Sequence, residues 1–369
     1  MTSLKRLAKG LALREYRYQQ LIPTNLLIFL TYRCTSRCKT CTMWRRKTNL
    51  HQELSLSELK RFVDMCSRWP IRHVEMFGGD ALLRKDVLFD LTRYVKSKGI
   101  QVDLATNCNL LDMQTAQEIA DAGFNYIYVS LDDVYAGHDE IRGREGSFRR
   151  VNDAIGFLQR ARKNRPWPKV YAQCTVSKHN VEHLDEVLAY ADENNLDVVA
   201  FEYVGEFPAE AVRLSRVNGI LPDPYYVPQN DSTVRVNWDQ ARLLKAEIAK
   251  IKRRRKNLRV QVVTENIDIL SKRHLVSGVC PHSRCYVCRY IITLDPYGNV
   301  IPCPFFNNHL LGNIREMELA DIWGNERHLR FINAIGRNNV EMCKYCILSV
   351  ERNQSPLGIL KKHLFQRFA

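Results

Sequence analysis

Between residues 25 and 204 the chain alternates short apolar runs with longer amphipathic segments, six times over. That alternation belongs to strand–helix units rather than to a sandwich or a helical bundle. Six strands are predicted: Asn25–Thr31, Arg72–Phe77, Gln101–Thr106, Tyr126–Leu131, Val170–Val176 and Val198–Tyr203. The helices between them carry their own punctuation. One, from Ser57 to Trp69, follows a Ser-x-x-Glu start, and another, from Asp86 to Ser97, stops at Gly99, which tolerates the left-handed conformation that ends helices. Parallel strands with crossover helices follow from this pattern.

The rhythm fails at residues 205–235, where Pro208, Pro222, Pro224 and Pro228 interrupt any periodicity, so a long connection or lid and a domain boundary are expected there. A basic helix follows from about Asp239 to Lys256. Its Lys252–Lys256 run (KRRRK) reads as a solvated face rather than a nucleic-acid site. The last third holds LDPYGNVIPC, a hairpin pattern, and a late helix from Leu319 to Ile335. The expected architecture is α/β: a partial parallel (βα)6 barrel of the TIM type at 20–236, with the lid or linker at 205–236. A basic helix and strand at 237–279 lead to a smaller α+β domain at 280–350. Basic amphipathic segments at 1–19 and 351–369 flank the whole.

Composition narrows the class. A length of 369 residues suits two domains or a large barrel with an appendage, and 45% hydrophobic with 26% charged residues describes a globular chain. The formal charge of +15 favours anionic partners. No apolar run reaches the roughly 18 residues of a membrane span, and the first 20 residues lack a secretory signal pattern. A cytoplasmic location is therefore expected, with peripheral contact at the inner membrane face if the amphipathic termini dock there. In a reducing compartment twelve clustered cysteines mean metal more often than disulfides.

Cys34, Cys38 and Cys41 form a Cys-x-x-x-Cys-x-x-Cys cluster on the loop that leaves the first strand. Loops at the C-terminal ends of barrel strands carry active sites, because the scaffold fixes their ends and leaves their sequence free. Three thiolates hold three irons of a cubane and leave the fourth open as a Lewis acid, whereas a closed electron-transfer cluster has a fourth cysteine. A zinc knuckle lacks a nearby fourth ligand, His51 being ten residues on.

The spacing resembles the signature of the radical S-adenosylmethionine (SAM) superfamily, and the similarity continues through residues 25–204. The resemblance implies a [4Fe-4S] cluster whose open iron chelates the amino and carboxylate groups of SAM. One electron then cleaves the sulfonium to methionine and a 5′-deoxyadenosyl radical. Phe77-Gly78-Gly79-Asp80 resembles the family's Gly-Gly-Glu, in which glycine allows the methionyl group a close approach; Asp80 is shorter by one methylene. Thr106-Asn107 resembles Thr-Asn-Gly, with Cys108 in place of the glycine. Ser130-Leu131-Asp132 resembles Ser-Leu-Asp and makes Ser130 the expected ribose contact, while Arg142 is expected to pair with the SAM carboxylate. Thr40 and Ala81 depart from a usual aromatic residue and a frequent proline.

Residues 280–350 resemble the auxiliary-cluster extension called SPASM or, abbreviated to one cluster, twitch. The shorter form is expected because no cysteine follows Cys346. Cys285, Cys303, Cys343 and Cys346 would complete an auxiliary [4Fe-4S] cluster without an open position, an electron relay or redox tuner. Cys288 is an alternative to Cys285, Cys280 is a candidate fifth ligand, and a zinc ribbon built on Cys285/Cys288 and Cys343/Cys346 is the competing reading.

Cys108 and Cys174, near strand ends, are candidate hydrogen-atom donors or else small buried hydrophobes, and Cys66 is core. Glu202 is a candidate for binding or deprotonating substrate, with a structural hydrogen bond as its alternative. Leu4–Leu13 and Leu357–Phe365 suit either an anionic bilayer or ordinary helix packing. The expected function is hydrogen abstraction from an anionic small molecule of sugar, cyclitol or lipid type. Dehydrogenation results if an electron leaves to the second cluster, and epimerisation if Cys108 or Cys174 returns a hydrogen atom. An electron donor such as flavodoxin or ferredoxin is implied; nucleic acid is not. The alternatives are a modifier of a ribosomally made peptide or membrane lipid, for which some 33 residues before Cys34 leave no room for a fused leader-binding domain, and a non-catalytic iron–sulfur or zinc scaffold binding RNA.

Overall fold

The computed structural model describes residues 2–227, 233–281, 285–336 and 340–348, so the expected tail at 351–369 lies outside the described residues. Helix α1 (Thr2–Gln19) leads into β1 (Asn25–Thr31), which is buried at six of its seven positions, as a strand covered on both faces must be. Then come α2 (Leu56–Met65), β2 (His73–Gly78), α3 (Lys85–Ser97), β3 (Gln101–Thr106), α4 (Met113–Ala122) and β4 (Tyr126–Ser130). Two helices, α5 (Tyr135–Arg142) and α6 (Ser147–Arg162), precede β5 (Lys169–Val176); α7 (Leu184–Glu193) precedes β6 (Val198–Tyr203). The punctuation acts as expected. Ser55 and Glu58 form a reciprocal capping box on α2, and Gly99, at φ +74°, lies just past α3.

The connection after β6 is more than a loop. It contains α8 (Ala209–Leu214) and buries Phe207, Val217 and Tyr225. Next come α9 (Trp238–Arg254), β7 (Gln261–Val263), α10 (Glu265–Ile269), α11 (Lys272–Ser277) and α12 (Val287–Tyr290), then β8 (Ile291–Leu294), β9 (Asn299–Ile301) and β10 (Gly312–Asn313). The basic end of α9 is a salt-bridged face: Arg254 and Lys250 pair with Asp185, and Lys252 lies 3.1 Å from Asp268. The late helix expected over Leu319–Ile335 is two, α13 (Leu319–Ile322) and α14 (Glu326–Gly336). Gly324 at φ +90° turns the chain between them, and Asn325 accepts the His328 N–H.

One ten-stranded sheet results, in the order β10-β9-β8-β1-β2-β3-β4-β5-β6-β7. Strands β8 through β7 in this order run parallel, and β9 and β10 are antiparallel additions. Among the described residues no pairing joins β7 to β10, the two ends of this order. The hairpin expected in a separate domain thus extends the sheet, through β8 pairing with β1 in register Asn25↔Ile291 to Ile28↔Leu294.

Two apolar clusters follow. One fills the space between sheet and helices, and the other lies between the inner face of β1, the segment 207–225 and the C-terminal region. Helix α1 belongs to the second. Tyr18 stacks on Tyr290 at 4.9 Å and tilts against Tyr286 at 5.0 Å, and Arg289 donates to the Tyr18 carbonyl. The apolar side chains Leu11 and Tyr18 are therefore buried against the chain itself rather than held out for a bilayer. Among the described residues no helix is long and apolar enough to cross a membrane.

Candidate functional site

The loop carrying Cys34, Cys38 and Cys41 lies across the C-terminal ends of β1 and β2 and is tied down on all sides. Arg37 and Lys39 donate their backbone N–H to the carbonyls of Arg142 and Ile141, and Thr42 donates to that of Tyr225. From β2, Gly79 donates to the Thr31 carbonyl and Asp80 to that of Arg33. Burial pushes the three thiols up, Cys34 to about 11 and Cys41 to about 12, and their mutual repulsion adds to it. Three crowded, buried sulfurs beside a guanidinium, with no carboxylate or imidazole among them, suit a thiophilic metal centre, whose binding displaces the protons. The donor set fits the iron–sulfur cluster expected there.

Arg142 lies behind this loop. Its Nη2 is 2.8 Å from the Asp132 carboxylate, and its Nη1 is 3.8 Å from the Cys38 sulfur. Burial alone would lower it, but Asp132 and Cys38 outweigh that and keep it charged. The partner shown for Arg142 is thus Asp132. Its Nε, like Trp44 Nε1, is buried without a hydrogen-bond partner, and both residues line the central cavity. Two such donors fit a carboxylate-bearing ligand in that space.

Gly78 and Gly79 line the same cavity, but they are required for a different reason from the one expected. A Cβ on Gly78 would stand 2.4 Å from the Thr31 carbonyl oxygen, and one on Gly79 would stand 2.2 Å from that of Arg33. The close approach they permit is that of the cysteine loop's own backbone. Asp80 sits one layer back: it accepts from the Thr35 hydroxyl at 2.5 Å and from the Leu82 N–H. Asn107 and Ser130 line the cavity at the ends of β3 and β4, and Asn107 donates to Thr35 and, at 3.8 Å, to the Cys34 sulfur.

The cavity measures about 270 Å³ and runs from the cysteine loop into the barrel, past Tyr128, Gln173, Thr175 and Glu202. Tyr226 and the segment Ile347–Leu348, directly after Cys346, close its far side. The side chains of Tyr128, Gln173 and Thr175 were not singled out from the sequence, although strand parity points to them. Tyr128 is two residues before Ser130 on β4, and Gln173 and Thr175 share one face of β5. A polar chain continues below them: the Tyr128 hydroxyl lies 3.4 Å from Asp103, which also accepts the Tyr126 N–H at 3.1 Å and lies 2.6 Å from His73.

Of the three candidate catalytic residues, the structure brings only Glu202 to this cavity. Cys174 alternates with Gln173 and Thr175, faces the helices, and donates to the Asp132 carbonyl at 3.4 Å. Cys108 is 1% exposed and its backbone, at φ +63°, turns it into the same core. Neither lines the cavity. The cavity's charged lining consists of Arg142, already paired, and Glu202, so the +15 of the chain lies elsewhere.

The second cysteine group assembles from α12, β9 and the segment 340–346. Burial pushes up the Cys303 thiol, and Cys346, Cys285 and Cys343 add to it; Cys343 in turn feels Cys285, Cys346 and Cys288. Cys285, Cys303, Cys343 and Cys346 all pack against the second apolar cluster, and Cys288 is buried within it, its carbonyl accepting from His328 at 2.7 Å. Cys280 packs against the first apolar cluster in a small crevice with Tyr203, Glu206, Arg235 and Tyr345, and its N–H donates to the Lys344 carbonyl at 2.7 Å, between Cys343 and Cys346 in the chain. Four sulfurs without a carboxylate again suit an iron–sulfur centre. Residues 223–225 separate the two groups. Asp223 donates to the Phe305 carbonyl, Tyr225 accepts from Thr42, and the Tyr225 phenol feels both Cys41 and Cys303.

Comparison with known proteins agrees with this geometry. The family model of the radical SAM superfamily matches residues 28–191, and that of the SPASM iron–sulfur cluster-binding domain matches residues 285–347. An AdoMet-dependent heme synthase of Methanosarcina barkeri is 29% identical over 309 residues, 82% of each chain. An Fe-coproporphyrin III synthase of the same organism is 27% identical over 204 residues, and there the match spans only 50% of that relative and 52% of this chain. The crystal structure of Streptococcus suis SuiB bound to precursor peptide SuiA superposes with a TM-score of 0.65 over 92% of this chain and 76% of that one, at 14% identity, a likeness of fold. The chain belongs to the radical SAM superfamily and carries a C-terminal SPASM domain, an enzyme architecture whose cofactors are SAM, a SAM-binding [4Fe-4S] cluster and an auxiliary iron–sulfur cluster.

Proposed function

We propose that this chain is a dehydrogenating radical SAM enzyme. Cys34, Cys38 and Cys41 would hold the SAM-binding cluster, and Cys285, Cys303, Cys343 and Cys346 the auxiliary one. Bound there, these groups supply one-electron cleavage of SAM to a radical that removes hydrogen from an unactivated carbon, and an acceptor for a second electron. Gly78, Gly79, Asn107, Ser130 and the free donors on Arg142 and Trp44 would hold SAM against the loop.

The observation that carries the reading is that Glu202 lines the same cavity as the cysteine loop, whereas Cys108 and Cys174 do not line it. A carboxylate there takes the proton that a substrate gives up when it loses two hydrogens. Tyr128, Gln173 and Thr175 offer a hydroxyl, an amide and a second hydroxyl to orient the reacting group. Ile347 and Leu348 keep water from it. This lining suits a neutral or cationic reacting group bearing hydroxyl or amide hydrogens. An anionic sugar, cyclitol or lipid would keep its charge outside the cavity.

Dithionite-reduced, reconstituted protein should form 5′-deoxyadenosine without substrate, and a zinc-loaded protein that forms none overturns the reading. With a substrate, the product should be lighter by two hydrogens, and solvent deuterium retained at the reacting carbon would show epimerisation instead.

A further inference from the structure

On the other side of Tyr225 from the catalytic cavity, a wider groove of about 640 Å³ opens to the surface. Its floor joins the two cysteine groups. Thr42 follows Cys41 directly, and Asn307 is folded back beside Cys303 by a turn in which Phe306 donates to the Cys303 carbonyl at 3.0 Å. The wall between groove and cavity is Arg46. It pairs with Asp223 at 2.8 Å, and its guanidinium lies 4.9 Å from the centre of the Tyr32 ring and 5.9 Å from that of Tyr225. Tyr225 belongs to the second apolar cluster, against which Cys41 and Cys303 both pack, so this one wall backs onto both groups.

The groove is cationic at its rim. Arg45 and Lys47 are exposed on either side of the fixed Arg46. Of the carboxylates along it, Asp223 is engaged by Arg46, and Asp295 is 3% exposed and accepts the N–H groups of Tyr297 and Asn299. The Tyr32 hydroxyl, 95% withdrawn from solvent, reaches the groove without a hydrogen-bond partner. A small anion would meet an already neutralised Arg46 in a wide, open space. A protein surface carrying carboxylates would meet the exposed Arg45 and Lys47 and cover the Tyr32–Arg46 wall.

We propose that this groove is the docking site of an acidic one-electron carrier protein serving both cysteine groups. The proposal rests on the radical SAM reading above. At the SAM-binding group the reduced carrier is oxidised by one electron, which reductive cleavage of one SAM consumes; at the auxiliary group the oxidised carrier takes up the one electron that substrate dehydrogenation leaves there. The groove lies one residue from Cys41, at Thr42, and four residues from Cys303, at Asn307, and it shares no lining residue with the substrate cavity.

The test is the double variant Arg45→Glu/Lys47→Glu in the full-length holoprotein, with flavodoxin as the probe. Wild type should bind flavodoxin with an affinity that falls as salt rises, and the variant should bind at least about tenfold more weakly with little salt dependence. Carbodiimide should cross-link flavodoxin carboxylates to Lys47. The rate of 5′-deoxyadenosine formation driven by reduced flavodoxin should fall by about the same factor in the variant, while that driven by dithionite is unchanged. Equal affinity of the two proteins, cross-links confined to another face, or inorganic pyrophosphate bound stoichiometrically at this groove would each overturn the proposal. Equal loss with dithionite would also count against it if the neutral variant Arg45→Gln/Lys47→Gln keeps full flavodoxin affinity. Wild type inactive with dithionite would instead sink the radical SAM reading, and the binding and cross-linking results would still decide the groove.

Discussion

Cys108 occupies the left-handed region at φ +63°, directly after Asn107, which donates to the Cys34 sulfur. The backbone there needs the conformation that glycine adopts freely, and a non-glycine residue bears a cost of roughly 1–2 kcal/mol. This is a physical reason for a glycine after the Thr-Asn pair, and this chain has a cysteine instead. Cys108→Gly should therefore lie within about 1 kcal/mol of wild type in denaturant unfolding, strain relief offsetting lost packing. Cys174→Gly, in a strand and fully buried, should lose about 2–4 kcal/mol.

If neither thiol meets substrate, Cys108→Ala and Cys174→Ala should retain product formation within about twofold of wild type, well short of the loss that follows removal of a catalytic acid or base. Loss of turnover with intact iron content and intact 5′-deoxyadenosine formation, in either variant, would restore the epimerase reading.

Glu202→Gln separates the two halves of the reaction. Product formation should fall about 10²–10⁴-fold, the usual contribution of a positioned base, while substrate-independent 5′-deoxyadenosine formation persists. A parallel fall in both would assign Glu202 to SAM binding.

The auxiliary ligands are tested by iron content after reconstitution. Cys285→Ala should lose one cluster's worth of iron and sulfide, and Cys288→Ala and Cys280→Ala should keep it, at a packing cost of about 1–2 kcal/mol for the buried Cys288. The reverse result would exchange Cys285 and Cys288 in the ligand set.

Glu58 caps α2 and receives Arg315 from the auxiliary region; chiefly the Arg315 hydrogen bond, with Ser55, holds its carboxyl down at about 2. Because the folded value lies below the unfolded one, near 4.3, the stabilisation is complete above the unfolded value and is lost as pH falls toward 2. Both side chains are about one-third exposed, so screening reduces it to about 1 kcal/mol. The stability difference between wild type and Glu58→Gln should thus be present at pH 7 and shrink steadily below pH 4, as read by urea unfolding.

Much of the barrel was legible because its strands are short apolar runs between well-punctuated helices. β1, β3 and β6 have the expected limits, β4 and β5 differ by a residue at one end, and β2 is shifted by one residue at both. The pairing of β8 with β1 was not legible, since periodicity reports a strand but not its neighbour 266 residues away, from Asn25 to Ile291. At the site, spacing revealed the cysteines and strand ends revealed Asn107 and Ser130. The orientation of Cys174 was in fact written in Val170, Ala172, Cys174 and Val176, which share the apolar parity of β5. The charge of Arg142 was legible, but only the fold could show that Asp132 pairs with its Nη2 and leaves its Nε without a partner.

The ladder between β1 and β8 also has a mechanical meaning. The strand that delivers Cys34 and the strand that leads toward Cys303 are adjacent rungs of one hydrogen-bonded fabric, so any swing of the C-terminal region would have to rip main-chain bonds at the centre of the sheet. The spacing between the Cys34 loop and the strand that leads toward Cys303 is therefore set by the sheet itself.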